Sequence, residues 1–344
     1  MFGRVILALA LCSVSAGLPP APALTLRRIT NLSGDLAEAL DVRWSSADEV
    51  VLAAAKNGVF RHNLTTGKTE RILGSAAPRG FFFSSRLGLS SSFVVPGSPF
   101  AALAWTRNAP GATLSPQFPF DMILDLDVYG DTLAVLGARR AADGRWAPEG
   151  GIAWIGSLEK GLKDLRPVHY SESGGGAKAL DRCHFFNTGA IRFLRDGTLL
   201  VVPGVEPGMY LYEPGGKLLK TWDTQPLGFF DRCEFTEKQG HAMGAAPTAT
   251  WQYLNARTVL DDVIPLPGGT IGLFTRRFTQ GKMHFTLSVV NDGKVTQRIE
   301  LPLSGGERSF VRADVRAKKI ALLLVEYATA KTPDGARLAI LELP

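Results

Sequence analysis

The segment from Ala190 to Trp222 reads AIRFLRDGTLLVVPGVEPGMYLYEPGGKLLKTW and contains four short apolar runs. The runs are separated by Arg195-Asp196-Gly197, by Gly204 to Pro207, and by Pro214-Gly215-Gly216. Asp-Gly and Gly-Gly permit the positive φ angles that tight hairpin turns need. The segment is therefore predicted to be a four-stranded antiparallel meander, which cannot bury both of its faces alone.

The same order of strands recurs along the chain. Related meanders are predicted at 39–73, 122–170 and 257–302, a weaker one at 86–107, and a last one that starts at Phe310. The second strands of these units begin near Val50, Phe100, Leu133, Leu199, Ile271 and Ile320, and the five intervals average 54 residues. This spacing approaches the ~40–50 residues of common propeller repeats.

The last unit lacks its fourth strand. Its third strand is predicted at 337–343, and the sequence given ends at Pro344. The segment 24–30 (LTLRRIT) is an orphan strand that resembles the fourth strands KTERIL and KVTQRI of other units. Pairing this N-terminal strand with the last unit would close a ring and cover an exposed edge.

The pattern resembles the six-bladed β-propellers of the NHL and lactonase-like type, through the order of the meanders and the placement of their turns. The resemblance implies an all-β fold of four-stranded antiparallel blades in one domain, 24–344. Two long connections between blades, 171–189 and 223–256, are expected to lie on one face and to carry the site. A seven-bladed ring with an irregular extra blade within 223–256 is the alternative.

Composition agrees with a β-rich globular chain. The length of 344 residues suggests two domains, but large all-β units form single domains as well. Gly (37) and Pro (21) together make up about 17% of the chain, against a usual ~12%, which indicates many tight turns. The hydrophobic content of 45% excludes disorder. The net charge of +6 is dispersed, which disfavours nucleic-acid binding.

Residues 1–23 have the features of a secretory signal peptide. Arg4 provides the positive charge, VILALALC (5–12) the apolar region, and Ala21-Pro22-Ala23 a cleavage site, with an earlier cut after Ala16 as the alternative. The apolar run is too short to span a bilayer. The sequence therefore predicts a secreted or periplasmic protein without a membrane span.

Removal of this signal would leave two cysteines, Cys183 and Cys233, one in each long connection. Both follow an Asp-Arg pair, and they are 50 positions apart. An even pair in an exported protein predicts a disulfide, which here would tie the two connections together. A reactive thiol or a pair of metal ligands is the alternative, but neither has supporting ligand spacing nearby.

Several cations are expected near the mouth of the ring. They lie near the ends of predicted second strands or in the two long connections: Lys56, Arg107, Arg139, Arg140, Arg182, Arg232 and Arg277. Such a set would attract an anionic ligand. The alternative is that exposed strand ends are simply basic, and that Arg182 and Arg232 pair with Asp181 and Asp231. Trp251 would either stack on a sugar or pack its own loop.

Enzyme motifs are missing from the sequence. None of the five histidines (His62, His169, His184, His241 and His284) belongs to an H-x-H or H-E-x-x-H pair, and there is no G-x-S-x-G, P-loop or dinucleotide motif. The prediction is a non-catalytic binding module without a cofactor, for a protein partner or an anionic small molecule or glycan.

The resemblance implies one alternative function. Lactonases of this type hold a calcium or zinc ion on the ring axis with Glu, Asn and Asp side chains. Only the first-strand acids correspond, at differing offsets from the second strands: Asp41, Asp125, Asp127, Asp261, Asp262 and Asp314. A metal-dependent hydrolase is therefore the alternative to a binding module.

Overall fold

Six four-stranded antiparallel sheets make up the fold. The computed structural model describes residues 24–54, 58–73, 82–84, 90–96, 101–107, 113–118, 122–138, 151–157, 160, 163–170, 189–204, 206–229, 236–329 and 335–343. Strands are numbered β1 to β24 in chain order, and the sheets are numbered 1 to 6.

The first three sheets follow the chain without crossovers. Sheet 1 consists of β2 (Ala39–Trp44), β3 (Glu49–Ala54), β4 (Gly58–Asn63) and β5 (Thr69–Leu73). Sheet 2 consists of β6 (Phe82–Ser84), β7 (Ser90–Pro96), β8 (Ala101–Arg107) and β9 (Thr113–Phe118). Sheet 3 consists of β10 (Met122–Tyr129), β11 (Thr132–Ala138), β12 (Gly151–Ser157) and β13 (Arg166–Tyr170).

The remaining sheets include the segment 190–222, which forms sheet 4. Sheet 4 consists of β14 (Ala190–Phe193), β15 (Leu199–Val202), β16 (Met209–Tyr212) and β17 (Leu218–Trp222). Sheet 5 consists of β18 (Thr258–Pro265), β19 (Ile271–Thr279), β20 (Lys282–Asn291) and β21 (Lys294–Gly305). Sheet 6 consists of β22 (Ser309–Arg316), β23 (Lys319–Glu326), β24 (Gly335–Glu342) and β1 (Thr25–Leu32).

The N-terminal strand completes sheet 6, as the sequence predicted. β1 pairs antiparallel with β24, so that Thr25 lies opposite Glu342 and Leu32 lies opposite Ala336. Arg27 and Glu342 form an ion pair of 2.5 Å across the two strands. Because β1 occupies the edge of β24, sheet 6 unites both ends of the described chain.

The innermost strands of the sheets contact one another in a cycle. In chain order these are β2, β6, β10, β14, β18 and β22, and β22 returns to contact β2. The predicted all-β propeller of four-stranded antiparallel blades is confirmed. Side chains are described for five blades, one fewer than the predicted six. Sheet 2 is described by its backbone pairing alone, so a count of six blades depends on including sheet 2.

Sheet 2 also corrects one strand assignment. The weak unit at 86–107 predicted a second strand near Phe100, but Ala101–Arg107 is the third strand, and Ser90–Pro96 is the second. Arg107 pairs with Ser90 at the start of β7, so it lies at the opposite end of the sheet from the end of that second strand. The serines of the run Ser90-Ser91-Ser92 concealed the apolar pattern of this strand.

The described parts of the second long connection, 223–229 and 236–256, contain helix rather than strand. A 3-10 turn spans Gln225–Leu227, and two helices follow, α1 (Glu237–Ala245) and α2 (Pro247–Asn255). Thr236 and Gln239 form a reciprocal capping box that starts α1, and Pro247 starts α2. The predicted alternative of an extra blade finds no strand within 223–229 or 236–256.

The inner strands are buried on both faces because each sheet packs between two neighbours, whereas outer strands such as β17 are largely exposed. All four residues of β15, Leu199 to Val202, are buried, and Leu200 and Val202 pack against Leu260 and Val263 of sheet 5. In the part of the chain that the structure describes, no helix has the length and apolar character needed to cross a membrane.

Candidate functional site

Neighbouring sheets 4 and 5 differ strongly in strand length. The first three strands of sheet 4 have four residues each, whereas β18, β19 and β20 of sheet 5 have eight, nine and ten. At about 3.3 Å per residue, sheet 5 is longer by roughly 13–20 Å. One part of its face therefore has no strand of sheet 4 beside it.

The position of the apolar contacts identifies which part this is. Ile271, Leu273 and Val290 of sheet 5 belong to the apolar cluster shared with sheet 4, and they lie toward the β18–β19 turn. The half of sheet 5 near the turn between β19 and β20 is left unmatched. The second and third strands of each sheet connect at one end of the sheet. We call this end the upper face and the opposite end the lower face.

A groove of about 540 Å³ lies on this unmatched half. One wall consists of side chains of sheet 5, and Leu227 and Gly228 of the connection from sheet 4 lie opposite. We call it the upper groove. Its volume falls within the range of about 300–1,000 Å³ that is usual for ligand sites.

The sheet 5 wall of the upper groove is polar. Its hydroxyl-bearing side chains are Thr258, Thr275, Thr279, Thr286 and Ser288, and its charged or titratable ones include Arg277, His284, Arg298 and Glu300. Thr258, Arg277 and His284 form one row across three strands, because Arg277 pairs with both of the others. Thr275, Thr286 and Glu300 form the next row. Hydroxyls and cations are thus interleaved on a single face.

Four basic residues line this wall, and two of them have no partner among the described residues. Arg276 pairs with Asp261. Arg298 donates from Nη2 to the carbonyl oxygen of Leu227 over 3.2 Å. Arg277 and His284 are exposed, and within the described residues neither makes a hydrogen bond or an ion pair. The upper groove therefore presents two basic side chains that are available to a ligand.

Arg277 is thus the predicted mouth cation that the structure places in a groove. Trp251, the predicted aromatic, lies in α2 and is partly buried. Its ring meets that of Tyr327 edge-on at 6.2 Å, and the Arg276 guanidinium lies 5.2 Å from its centroid. Trp251 packs α2 against the propeller, outside the lining of the upper groove.

The other predicted ligand-binding residues are not brought into this groove. The side chain of Arg107 is not described, and its backbone lies at the end of sheet 2 where β7 begins. The rest lie outside the described residues: Lys56, Arg139, Arg140, Arg182 and Arg232. Cys183 and Cys233 do so as well, and their disulfide stays a prediction.

The first-strand acids tie neighbouring sheets together. Asp125 and Asp127 of sheet 3 accept hydrogen bonds from the backbone N–H groups of Ile191 and Phe193 in sheet 4, at 2.9 and 2.8 Å. Asp261 and Asp262 of sheet 5 accept from Val311 and Ala313 of sheet 6, at 3.0 and 2.8 Å. Asp314 of sheet 6 accepts from Trp44 of sheet 1 at 2.9 Å.

Buried arginines neutralise most of these carboxylates. Arg192 pairs with both Asp125 and Asp262, Arg43 pairs with Asp41 at 2.9 Å, and Arg276 pairs with Asp261. All of these side chains are buried. Ion pairs in this setting require good geometry and further hydrogen bonds, which the backbone N–H groups supply.

Burial and charge act in opposite directions on these acids. Burial raises the pKa of Asp41 and of Asp125, and it raises the pKa of Asp261 to about 6. Burial also acts to raise the pKa of Asp262, but the guanidinium groups of Arg192, Arg312 and Arg43 hold it below its ordinary value. The pKa values of these acids thus depend on their burial and on the arginines between the sheets.

This network bears on the alternative of a metal-dependent hydrolase. Throughout the described ranges, no group of three or more His, Cys, Asp or Glu side chains is arranged to hold a metal ion. The candidate acids instead face arginines and backbone N–H groups, as Asp262 does with Arg192 and Ala313. These acids therefore hold neighbouring sheets together through hydrogen bonds and ion pairs.

A further buried polar cluster joins sheets 3 and 4. His169 Nδ1 lies 2.7 Å from the Tyr212 hydroxyl, and Nε2 lies 3.2 Å from Glu206 Oε2. The imidazole also packs against the Tyr210 ring, with 4.0 Å between centroids. All four side chains are buried, so the cluster fixes the two sheets and offers little surface to a ligand.

Sequence reasoning missed Arg192 and the hydroxyls of the upper groove. Arg192 stands alone in an apolar first strand, AIRF, which signals a buried charge that needs partners. In β20, His284, Thr286 and Ser288 alternate with apolar residues (HFTLS). Such alternation in an inner strand of a propeller indicates a polar face where an apolar one is expected.

Comparison with known proteins shows the fold alone. A member of the DUF4221 family from Bacteroides vulgatus aligns with a TM-score of 0.54 at 9% identity, over 93% of this chain and 97% of that one. The WD40 β-propeller domain of Doa1 aligns with a TM-score of 0.47 at 10% identity, over 94% and 98%. A catalytically inactive variant of virginiamycin B lyase from Staphylococcus aureus aligns with a TM-score of 0.45 at 9% identity, over 93% and 100%.

No protein-family model matches the sequence, and neither does any curated protein. At 9% identity, the similarity to the DUF4221 protein carries no statement about activity or ligand. The chain is similar to β-propellers in its fold.

Proposed function

We propose that this chain is an exported, non-catalytic binding propeller whose upper groove holds the anionic group of its ligand. The observation that carries the proposal is the pair Arg277 and His284. They lie directly opposite each other on β19 and β20, both are exposed, and neither has a partner among the described side chains. Residues paired in this way have Cβ atoms about 4.5–5.5 Å apart, close enough to contact one anion together.

The surrounding charges support the same conclusion. Arg298 lines the groove from β21, and Glu300 is the single acidic side chain among the described residues that line it. Arginine binds carboxylate, phosphate or sulfate in a bidentate manner, which favours anions over neutral ligands. An anionic small molecule, or an anionic group on a glycan or a protein, is the ligand class that fits.

A six-bladed ring is part of the proposal. It is supported by the six sheets and by the cyclic contacts of their innermost strands. Export is supported by the signal-like residues 1–23. No cofactor enters the proposal, since the acids that a metal would need are engaged by arginines and backbone N–H groups.

Binding of simple anions tests the proposal. Purified protein is titrated calorimetrically with citrate and with sulfate, at about 20 mM and 200 mM NaCl. We expect the affinity to fall at the higher salt concentration, because salt screens exposed charges. Arg277→Glu should weaken binding at least tenfold, since it replaces attraction with repulsion.

Arg316→Glu is the matched control for Arg277→Glu. Arg316 is exposed at the end of β22, on the lower face, and the substitution makes the same change in net charge. Its affinity should stay within about twofold of the wild-type value. Failure of both anions to bind, or equal losses in the two variants, would overturn the upper groove as an anion site.

A further inference from the structure

On the sheet 5 wall of the upper groove, two buried residues carry hydroxyls that have no partner among the described residues. Thr275 is 7% exposed and Ser288 is 5% exposed, and both line the groove. Neither hydroxyl makes a hydrogen bond to any described residue. A hydroxyl that no protein group satisfies is left to water or to a ligand, so these two groups are available to a ligand that enters the groove.

Hydroxyls recognise a different chemistry from that of the cations above them. A hydroxyl both donates and accepts, whereas arginine only donates. Thr275 and Thr286 lie opposite each other, one row below Arg277 and His284. A ligand that fills both rows must place an anion against the upper row and groups that donate and accept against the lower one.

The two rows are close enough for one small ligand. They are two residues apart along each strand, which corresponds to about 7 Å. This is roughly the span of a hexose with its C6 substituent. The described lining contains no Phe, Tyr or Trp, so recognition by these residues would come from hydrogen bonds and charge and not from ring stacking.

We infer that the ligand is a sugar bearing an anionic substituent, with its hydroxyls against the lower row and its anion between Arg277 and His284. The inference rests on the proposed anion site and adds the body of the ligand to it. Thr275 and Thr286, which face each other in the lower row, are assigned to the sugar hydroxyls. Ser288 lies one row further down, opposite Leu273. A carboxylate, a sulfate or a phosphate would satisfy the upper row equally.

Three probes separate the parts of this inference. Glucuronate carries both features, glucose carries only the hydroxyls, and sulfate carries only the anion. We expect glucuronate to bind at least tenfold more tightly than either of the other two. Glucose 6-phosphate and glucose 6-sulfate in place of glucuronate then show which anion is preferred.

Variants of the lower row provide the second measurement. Thr275→Val and Thr286→Val remove the hydroxyls of the lower row with little change in shape, and each should weaken glucuronate binding about tenfold while leaving sulfate binding unchanged. Thr221→Val is the control, because Thr221 is exposed on β17 and does not line the groove. Thermal unfolding of each variant verifies that it is folded.

The outcomes distinguish this inference from the proposal beneath it. If sulfate and citrate bind through Arg277 but glucuronate binds no more tightly than they do, the sugar is wrong and the anion site stands. If no anion binds, both fail. The ranking of the probes on the wild-type protein decides the inference even where a lower-row variant does not fold.

Discussion

Arg192 in sheet 4 donates from Nη2 to Oδ1 of Asp262 in sheet 5 over 2.5 Å, and neither side chain is more than 2% exposed. The same guanidinium donates from Nη1 to Asp125 in sheet 3. One side chain thus joins three consecutive sheets near the axis. The inner end of this part of the propeller is held by buried charge pairs as well as by apolar packing.

Removing this arginine should destabilise the protein strongly. Arg192→Met keeps much of the side-chain volume but leaves the carboxylates of Asp125 and Asp262 buried without a cation. Breaking a buried ion pair in this way costs about 3–5 kcal/mol of unfolding free energy. The cost should shrink as the pH falls from 7.5 to 4.5, because a protonated carboxyl needs no cation. Urea unfolding at the two pH values measures both effects.

The control for this substitution is Arg27→Met. Arg27 pairs with Glu342 at 2.5 Å, but its side chain is 60% exposed. An exposed ion pair contributes about 0–1 kcal/mol, so this variant should be nearly as stable as the wild type. A loss for Arg192→Met that is below about 1 kcal/mol, or that does not change with pH, would contradict the role assigned to Arg192.

Asp261 should make stability fall as the pH rises from about 4 to 6. Burial raises its pKa in the folded state from 3.8 to about 6, so the folded protein holds this proton over an interval in which the unfolded chain has released it. The unfolding free energy therefore decreases across the interval, by an amount on the order of 2–3 kcal/mol. Below pH 3.8 Asp261 is protonated in both the folded and the unfolded state, so it no longer makes the unfolding free energy depend on pH.

Asp261→Asn should remove this dependence, because the amide does not titrate. The difference in unfolding free energy between wild type and variant should fall between pH 4 and pH 6, as followed by denaturant titration at half-unit steps. Asp164→Asn is the opposite case: the Ser157 N–H lowers the pKa of this partly exposed acid, so its stabilising effect is lost as the pH falls below about 4. A constant difference for Asp261→Asn would show that Asp261 is ionised throughout.

Gly293 should be more sensitive to substitution than Gly67. The two have nearly equal φ angles, +75° and +73°, so alanine pays a similar backbone cost at both, about 1 kcal/mol. A Cβ at Gly293 would overlap the ring of Trp222, whereas a Cβ at Gly67 meets no atom within 4 Å. Trp222 cannot easily yield, because its Nε1 donates to Asp292 over 3.2 Å.

Gly293→Ala should therefore cost about 1–3 kcal/mol more than Gly67→Ala. Denaturant unfolding of the two variants under identical conditions measures the difference. Equal losses would mean that the contact between Trp222 and the β20–β21 turn does not constrain sheets 4 and 5.

The strand order was largely predictable because its signals are local. Gly197 and Gly216, which lie in predicted hairpin turns, have φ angles of +84° and +85°. The N-terminal strand was recognisable from the missing fourth strand of the last unit, and β1 pairs with β24. Where the local pattern was weak, in the serine-rich strand β7, the assignment of strands in sheet 2 was wrong.

The candidate site was predictable only in part. Arg277 was identified from its place near the end of a second strand, and it lies in the upper groove. Thr275, His284 and Ser288 were not identified, because their exposure depends on how far sheet 4 extends beside them. The pairing of Arg192 with acids about 70 positions away in the sequence has no local signature either.

The sequence by itself determined the all-β meanders, the positions of their turns and the strand that completes sheet 6, because turn chemistry and strand periodicity act between near neighbours in the chain. The tertiary structure alone decided which charges meet near the axis and where a polar groove opens. Both depend on the packing of sheets against each other, and the groove exists because the short strands of sheet 4 end before those of sheet 5.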